Sequence, residues 1–163
     1  MSSCYRPVYF WNGPFSNWHN STFKDSEGTI YYNNEQYMMR HKALLFQDSN
    51  SESKIMKETC PKIIKQYGRQ VKNFNPEIWN VHAKNIVTDG CYLKFSQNPN
   101  LKEFLLSTGY RPIIESSPYD NIWGIGLNEQ TARITPIDNW PGTNWLGECL
   151  MRTREKLRLV NPN

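Results

Sequence analysis

Two residues seven positions apart, Glu35 and Lys42, are the chain's leading candidates for chemistry. A helix of about 3.6 residues per turn returns to the same face after seven residues, so both groups would point to one side. Met38 and Met39 fall on or beside that face, so the helix must either expose methionines or half-bury two charges. Because burying a charge is costly, such groups tend to occur where a reaction uses them.

The plainer interpretation of the same two residues is a salt-bridged pair on a partly exposed helix. Residues seven apart do not meet as an i, i+4 pair does, so simple pairing within the helix is disfavoured. The helix itself is well specified, because Asn33 or Asn34 can cap its first turn. Glu35 then suits the positive end of the helix dipole. We expect this helix to cover about residues 34–47.

A second candidate group lies in a loop expected over residues 116–127. Trp123 could stack on a base, and Asp120 could order a ribose hydroxyl or a water. Gly124 and Gly126 would let the backbone approach a ligand closely or take positive φ. The alternative is a pair of turn glycines beside a core tryptophan, and the spacing lacks the GxGxxG pattern of a dinucleotide site.

Two further segments carry polar groups that suit a ligand. Arg69 and Lys72 follow the break expected at Gly68 and suit a phosphate, although an ordinary solvated helix end has the same composition. Ser16 and Asn17 offer polar side chains between aromatic rings. Metal ligation is improbable, since the three histidines share no ligand spacing and the four cysteines form no CxxC or Cys/His pair.

The composition predicts one domain over residues 1–163, with a small core completed by large rings. Only 38% of the residues are apolar, but 13% are aromatic. No window resembles a membrane span or a signal peptide, and the scattered cysteines suit free thiols. We therefore expect a cytoplasmic protein, or a nuclear one in a eukaryote. The net charge of +4 is modest, and the last helix holds several cations: Arg152, Arg154, Lys156 and Arg158.

The element pattern predicts an α+β fold, mainly helical, with a small and mostly antiparallel sheet. Residues 48–53 are expected to be a polar loop. Short strands are expected within residues 5–32 and at 111–115. Further helices are expected at 54–59, 61–67 (ended by Gly68), 76 to about 90 (ended by Gly90), 98–108 (ended by Gly109) and 144–159.

Taken together, these segments resemble the NADAR family, also called YbiA-like and named for its association with NAD and ADP-ribose metabolism. The resemblance covers nearly the whole chain in order. Asn121 departs from it, since many relatives are expected to carry Arg there. The matching segments are Gly13-Pro14-Phe15-Ser16-Asn17, residues 34–43, Gly68-Arg69, Trp79, Lys94-Phe95, residues 120–126 and Asn144-Trp145-Leu146-Gly147.

The resemblance implies a hydrolase that cleaves the bond between ribose C1 and an exocyclic base amine. Two substrate classes follow from the family: guanine ADP-ribosylated in nucleic acid, and the ribosylamino-pyrimidine phosphates of early riboflavin biosynthesis. For such a bond Lys42 would be the nucleophile through a Schiff base and Glu35 the proton shuttle. Asp120 is a second candidate for acid–base work. If Lys42 only stabilises charge, Glu35 or Asp120 would activate water instead.

The resemblance and the residue types together also assign substrate binding. Neither a metal nor a cofactor is needed for this chemistry. We expect an N-glycosidase of the ADP-ribosylglycohydrolase type, acting on ADP-ribosylated guanine in DNA or RNA, because the basic last helix favours a nucleic acid. A non-catalytic module that binds ADP-ribose is the alternative of another class. The expected binding residues are Ser16, Asn17, Arg69, Trp123, Gly124, Gly126 and Asn144.

Overall fold

Helices dominate the computed structural model, which describes residues 6–160. A short 3-10 helix, Ile137–Asn139, accompanies the α-helices of this range. The α-helices are α1 (Asn34–Leu45), α2 (Ser49–Met56), α3 (Pro61–Arg69), α4 (Pro76–Gln97), α5 (Pro99–Leu106), α6 (Glu129–Ile134) and α7 (Trp145–Val160). The mainly helical α+β class is therefore confirmed.

The strands form two separate two-stranded sheets rather than one. β1 (Val8–Phe10) pairs with β4 (Ile113–Glu115) in parallel, with Val8 opposite Ile113. β2 (Phe23–Lys24) pairs with β3 (Ile30–Tyr31) in an antiparallel hairpin. Only the second pair matches the predicted antiparallel character. The first is parallel, which the long connection between its strands permits, since parallel strands cannot be joined by a tight turn.

Cα proximity divides the chain into two units. The central unit, Asn17–Pro99, contains β2, β3 and the helices α1 to α4, with α1 packed against α2, α3 and α4. The terminal unit contains the described residues up to Ser16 and from Asn100 onward. There α7 packs against β4. The predicted single domain over 1–163 stays a prediction, and its two ends lie outside the described residues.

Polar residues at the start of α1 fix this helix in the central unit. Asn33 is the N-cap, and its Oδ1 accepts a hydrogen bond from the Gln36 amide at 2.9 Å. The buried Gln36 side chain donates to the carbonyls of Ile55 and Glu58 and accepts from the Tyr32 amide. These bonds satisfy a buried amide group, whose desolvation would otherwise be costly. The predicted capped helix is confirmed, ending at Leu45.

Two glycines predicted to end helices lie inside them. α3 continues past Gly68 to Arg69, and α4 continues past Gly90 to Gln97. A Cβ atom at Gly68 would lie 1.8 Å from Met39 Sδ, and one at Gly90 would lie 2.0 Å from Asn34 Oδ1. Both glycines therefore let α3 and α4 pack closely against α1, and they do not end their helices.

The predicted polar loop over 48–53 is also wrong, because α2 begins at Ser49. Asp48 caps this helix, with its Oδ1 accepting from the Ser51 amide at 3.0 Å. Three backbone and side-chain donors, on Lys72 and Ser51, hold the pKa of Asp48 down at about 2. Asp48 contributes to the polar composition that suggested a loop, but in the structure it is the N-cap of a helix. The short helix α6 was not predicted at all, although Asn128 caps it through the Thr131 amide.

The remaining predicted elements are confirmed within a few residues. α4 starts at Pro76 with Asn75 as its cap, α7 starts at Trp145, and Gly109 follows α5 with a φ of +64°. Within residues 6–160, no helix has both the length and the apolar composition needed to cross a membrane. Cys60, Cys91 and Cys149 remain thiols and form no disulfide bond, while Cys4 lies outside the described residues.

Candidate active site

Glu35 and Lys42 occupy the first and last turns of α1. Glu35 is 4% exposed, while Lys42 is half-buried and keeps access to solvent. Met38 and Met39 are buried on the same helix, at 4% and 7% exposure. The helix thus takes the second of the two options open to it, burying its methionines and drawing the charges inward.

Two aromatic rings flank the Lys42 amine. The Nζ atom lies 4.4 Å from the centre of the Phe74 ring and 5.7 Å from that of Trp79. Phe74 comes just before the cap of α4, and Trp79 lies in the first turn of that helix. Phe74 lies in the loop between α3 and α4. Asp48 fixes this loop by accepting a hydrogen bond from the Lys72 amide at 2.9 Å. The rings hold the amine close to low-polarity surface without closing it off.

This environment lowers the pKa of Lys42. Burial is the largest cause, because removing water disfavours the ammonium form. The nearby Arg69 cation lowers the pKa further, while the Glu35 carboxylate opposes both by stabilising the charge. A lowered pKa favours the neutral amine over the ammonium group, and the neutral amine is the form that can act as a nucleophile.

Asn17 supports the Glu35 end of the helix. Its backbone carbonyl accepts the Glu35 amide at 3.0 Å, and its Oδ1 accepts from the Asn34 side chain at 2.8 Å. The same Asn34 amide group lies 3.4 Å from Cys91 Sγ. Asn17 and Asn34 are both buried, so this contact fixes the start of α1 in the interior. The structure accounts for Asn17 as a support of Glu35, and its predicted substrate contact stays untested.

Lys94 was not assigned a function by the sequence, although it is the most deeply buried lysine described. It is 1% exposed on α4, and burial lowers its pKa to about 8. Burial lowers the pKa of His19, and the Lys94 charge lowers it further. The sequence does indicate the burial of Lys94, because it shares a helix face with the buried residues Ala83, Val87 and Cys91, where a surface lysine is not expected.

In the terminal unit, Asp120 organises the loop that carries the second candidate group. A single carboxylate oxygen, Oδ1, accepts the amides of Ile122 and Trp123, both at 2.8 Å. The half-buried Trp123 ring meets Trp145 edge-on, with ring centres 5.5 Å apart. Asp120 therefore shapes the turn with one oxygen, as aspartates in tight turns commonly do.

The two loop glycines have packing reasons for being glycine. A Cβ at Gly124 would lie 3.0 Å from the carbonyl oxygens of Asp120 and Glu115. Gly126 has a φ of +75°, and a Cβ there would lie 2.2 Å from Asn121 Oδ1. Asn121, the departure from the family pattern, therefore packs against this turn. The glycines need no bound phosphate to explain them.

Asn144 and Ser16 also have structural partners. The Asn144 side chain accepts the Glu115 amide and donates to the Ile113 carbonyl, both at 2.9 Å, so it ties β4 to the start of α7. Its predicted substrate contact stays a prediction. Ser16 is 9% exposed, and its amide donates to the Gly13 carbonyl at 3.0 Å.

Two arginines of the basic last helix, which favoured a nucleic acid in the sequence, have partners within the terminal unit, while Arg152 and Lys156 are exposed. Arg154 is buried and donates to Thr108 Oγ1 and the Arg111 carbonyl, both at 2.8 Å. Arg158 donates to the Gly109 carbonyl, and Arg152 pairs with Glu148. Arg154 and Arg158 are therefore occupied by the protein itself, and a nucleic-acid contact on α7 stays a prediction.

The sequence-predicted residues thus gather in two groups, one in each unit. Glu35, Lys42 and Arg69 interact electrostatically in the central unit. Asp120 and Trp123 share a turn in the terminal unit. The sequence missed Phe74, although its place next to a helix cap marks it as ordered. Within residues 6–160 no group of three or more His, Cys, Asp or Glu side chains could hold a metal ion.

The chain has relatives among known proteins. The sequence model of the NADAR domain matches residues 9–158, which include parts of both units. Because this match covers most of the chain, the protein belongs to the NADAR domain family.

Two relatives and one structure illustrate the range of the family. A protein of Acanthamoeba polyphaga mimivirus named N-glycosidase R617 is 51% identical over 146 residues, covering 87% of this chain and 86% of its own. The chloroplastic riboflavin biosynthesis protein PYRR of Zea mays is 28% identical, covering 89% of this chain and 23% of its own. The NMR structure of the E. coli protein YbiA has a TM-score of 0.78 at 23% identity, covering 97% and 88%. It supports the fold.

Proposed function

We propose that this protein is an N-glycosidase that removes ADP-ribose from the exocyclic amine of guanine in nucleic acid. The observation that carries the proposal is the Lys42 amine, half-buried between Phe74 and Trp79 on the same helix as the buried Glu35. The family of the chain and the name of its mimivirus relative support the N-glycosidase class. The ADP-ribosylated nucleic acid is our proposal for the substrate within this class.

The reaction begins with the substrate's own chemistry. Ribose C1 carries both the ring oxygen and the base amine, so the sugar ring can open when a proton reaches the ring oxygen. Opening leaves a C1=N bond to the base nitrogen, and that carbon is electrophilic. A neutral amine can add to it, whereas an ammonium group cannot.

Lys42 and Glu35 supply the next two steps. The neutral Lys42 nitrogen forms a bond to C1, and the electron pair of the C1=N bond moves to the base nitrogen. Glu35 transfers the proton lost by the lysine nitrogen to the base nitrogen, as a general acid and base. The C1–N bond to guanine then breaks, leaving a Schiff base between Lys42 and the opened ribose.

Water completes the turnover. It adds to C1 of the Schiff base, the C1–Nζ bond breaks, and the sugar ring closes to free ADP-ribose and neutral Lys42. Asp120 is a proposed second acid–base group, and its Oδ1 also accepts two backbone amides in its own turn. In the direct form of the reaction, Lys42 stabilises charge and a carboxylate activates the water.

Borohydride trapping distinguishes the covalent form from the direct form. Reduction during turnover should leave an ADP-ribosyl adduct on the peptide that contains Lys42, detected by mass spectrometry. The Lys42→Ala variant should show no adduct, and the matched Lys94→Met variant should still be labelled. Turnover without any adduct at Lys42 contradicts the Schiff base and favours direct attack by water.

The second candidate substrate is a ribosylamino-pyrimidine phosphate, which the name of the maize relative favours. Both substrates contain the same exocyclic C1–N bond, so the same residues would act on them. Incubation of the unaltered protein with each substrate ranks them by kcat/KM. If neither releases its base while ADP-ribose binds tightly and independently of Lys42, the protein is a binding module.

A further inference from the structure

Helix α3 presents a row of cations on one side. Lys62, Lys65 and Arg69 are spaced i, i+3 and i+7, which places them on one face over about 10 Å. The helix contains no acidic residue in its first turn, and none occurs in its nine residues. Among the described residues, no carboxylate forms an ion pair with any of the three.

An exposed indole lies beside this row. The Trp18 ring is 43% exposed, and Lys65 Nζ lies 5.9 Å from its centre. Trp18 directly follows Asn17, which is held at the start of α1 through the Glu35 amide. The ring therefore belongs to a segment tied to the candidate active helix.

The other end of the row is coupled to the candidate nucleophile. Gly68, directly before Arg69, packs on Met39 of α1, since a Cβ at Gly68 would lie 1.8 Å from Met39 Sδ. Burial lowers the pKa of Lys42, and the Arg69 cation lowers it further. The row thus starts beside Lys42 and continues along α3 through Lys65 to Lys62. A polyanion extending from the reacting group would meet one cation after another along this face.

We infer that the α3 cation row and Trp18 bind the nucleotides that flank the modified guanine in a single-stranded nucleic acid. Lys62 and Lys65 contact backbone phosphates, and the Trp18 indole stacks on an unpaired base. Evenly placed cations beside an exposed ring are the pattern by which proteins bind single strands without reading sequence. The inference rests on the proposed function, and it moves the nucleic-acid surface from α7 to α3.

The test compares two substrates and two charge-matched double variants. The substrates are a single-stranded oligonucleotide carrying one ADP-ribosylated guanine and the same ADP-ribosylated guanosine as a free nucleoside. One variant is Lys62→Gln with Lys65→Gln on α3. The control is Arg133→Gln with Arg152→Gln, which removes the same charge from helices of the terminal unit.

We expect the α3 double variant to lose at least about tenfold in kcat/KM on the oligonucleotide and almost nothing on the nucleoside. The slope of log(kcat/KM) against log[salt] should become shallower by about 1.4, since each phosphate contact on a single strand contributes about 0.7. Trp18→Ala should cost about 5- to 100-fold on the oligonucleotide alone. The control variant should match the unaltered protein.

Three outcomes would overturn the inference. Equal losses on both substrates would place the row on the ADP-ribose itself, and equal losses in the control would reduce the effect to overall charge. Unchanged kinetics in the α3 variant would remove the surface altogether.

Fluorescence anisotropy with an unmodified single strand separates this inference from the proposed function. Salt-sensitive binding that the α3 variant loses supports the surface even if the protein releases no ADP-ribose. Equal binding of polyglutamate would instead indicate an acidic protein partner and contradict it.

Discussion

Two lysines with lowered pKa values lie on neighbouring helices of the central unit, and they differ in access. Lys94, on α4, is 1% exposed, and burial lowers its pKa to about 8. Lys42, on α1, is half-buried, flanked by two rings and close to Glu35 and Arg69. By acidity alone Lys94 would be the better candidate nucleophile. The comparison shows that a lowered pKa identifies a buried amine, and only access to a reactant makes it a candidate for chemistry.

The two sites also differ in what surrounds the amine. Lys42 has a carboxylate on its own helix face that raises its pKa and a cation that lowers it, so proton transfer has a partner. For Lys94 burial dominates, opposed by the neighbouring Cys91 thiol. We therefore assign catalysis to Lys42 and a core role to Lys94, and the predictions below test that division.

The largest expected effect is on turnover. Lys42→Ala should lower kcat by about 10³-fold or more, because the covalent route loses its nucleophile. Lys94→Met keeps the volume of the buried side chain and should change kcat by less than about tenfold. Release of ADP-ribose under saturating substrate measures both, with circular dichroism as the check on folding. If the two variants exchange these results, the assignment of the two lysines is wrong.

The next effect concerns stability at alkaline pH. Folding lowers the pKa of Lys94 from its ordinary 10.5 to about 8, so in that range the unfolded chain binds a proton that the folded chain has released. Stability contributed by this group should therefore rise with pH across the window, by about 3 kcal/mol. Below about pH 8 both states are protonated, and the cost of burying the charge is constant.

Urea unfolding of the unaltered protein and of Lys94→Met at several pH values isolates this effect. The difference in free energy of unfolding between them should favour Lys94→Met near pH 7 and shrink as pH rises. A difference that does not vary with pH would mean that Lys94 does not titrate in this window and would weaken the comparison. Lys42 cannot produce the same signal in this pair, because both proteins retain it.

Opposite shifts in the pH–rate profile would sharpen the account of Lys42. Arg69→Gln removes a cation that lowers the Lys42 pKa, so the acidic limb of kcat/KM should move to higher pH. Glu35→Gln removes the charge that raises that pKa, so the limb should move to lower pH. The second variant should also lose about 10²-fold in kcat through the missing proton shuttle. Shifts of the same sign in both variants would contradict the coupling.

The sequence predicted best what depends on local chemistry. The cap at Asn33 and the helix start at Asn75-Pro76 are set by neighbouring residues, and the structure has both. The shared face of Glu35 and Lys42 follows from helical spacing alone. The family and the α+β class were likewise recognisable from the order of the motifs.

Features that depend on tertiary contact were missed. Gly68 and Gly90 looked like helix ends because glycine has that local preference, but close packing on α1 decides their position. The sequence suggests a phosphate surface on α7, but Arg154 and Arg158 donate hydrogen bonds within the terminal unit. Charge on a helix therefore predicts a binding face only when the fold leaves that charge without an internal partner.

The smallest expected effect tests how α1 and α4, which carry the two lysines, approach each other at Gly90. A Cβ there would lie 2.0 Å from Asn34 Oδ1 and 2.7 Å from the Tyr37 ring, and both side chains are buried. Gly90→Ala should therefore cost about 1–3 kcal/mol of overpacking, only partly offset by about 1 kcal/mol of helix propensity. Gly68→Ala meets the flexible Met39 side chain instead, which can shift, so its loss should be smaller than that of Gly90→Ala. Urea unfolding compares the two, and a larger loss for Gly68→Ala would show that α3, rather than α4, sets the position of Lys42.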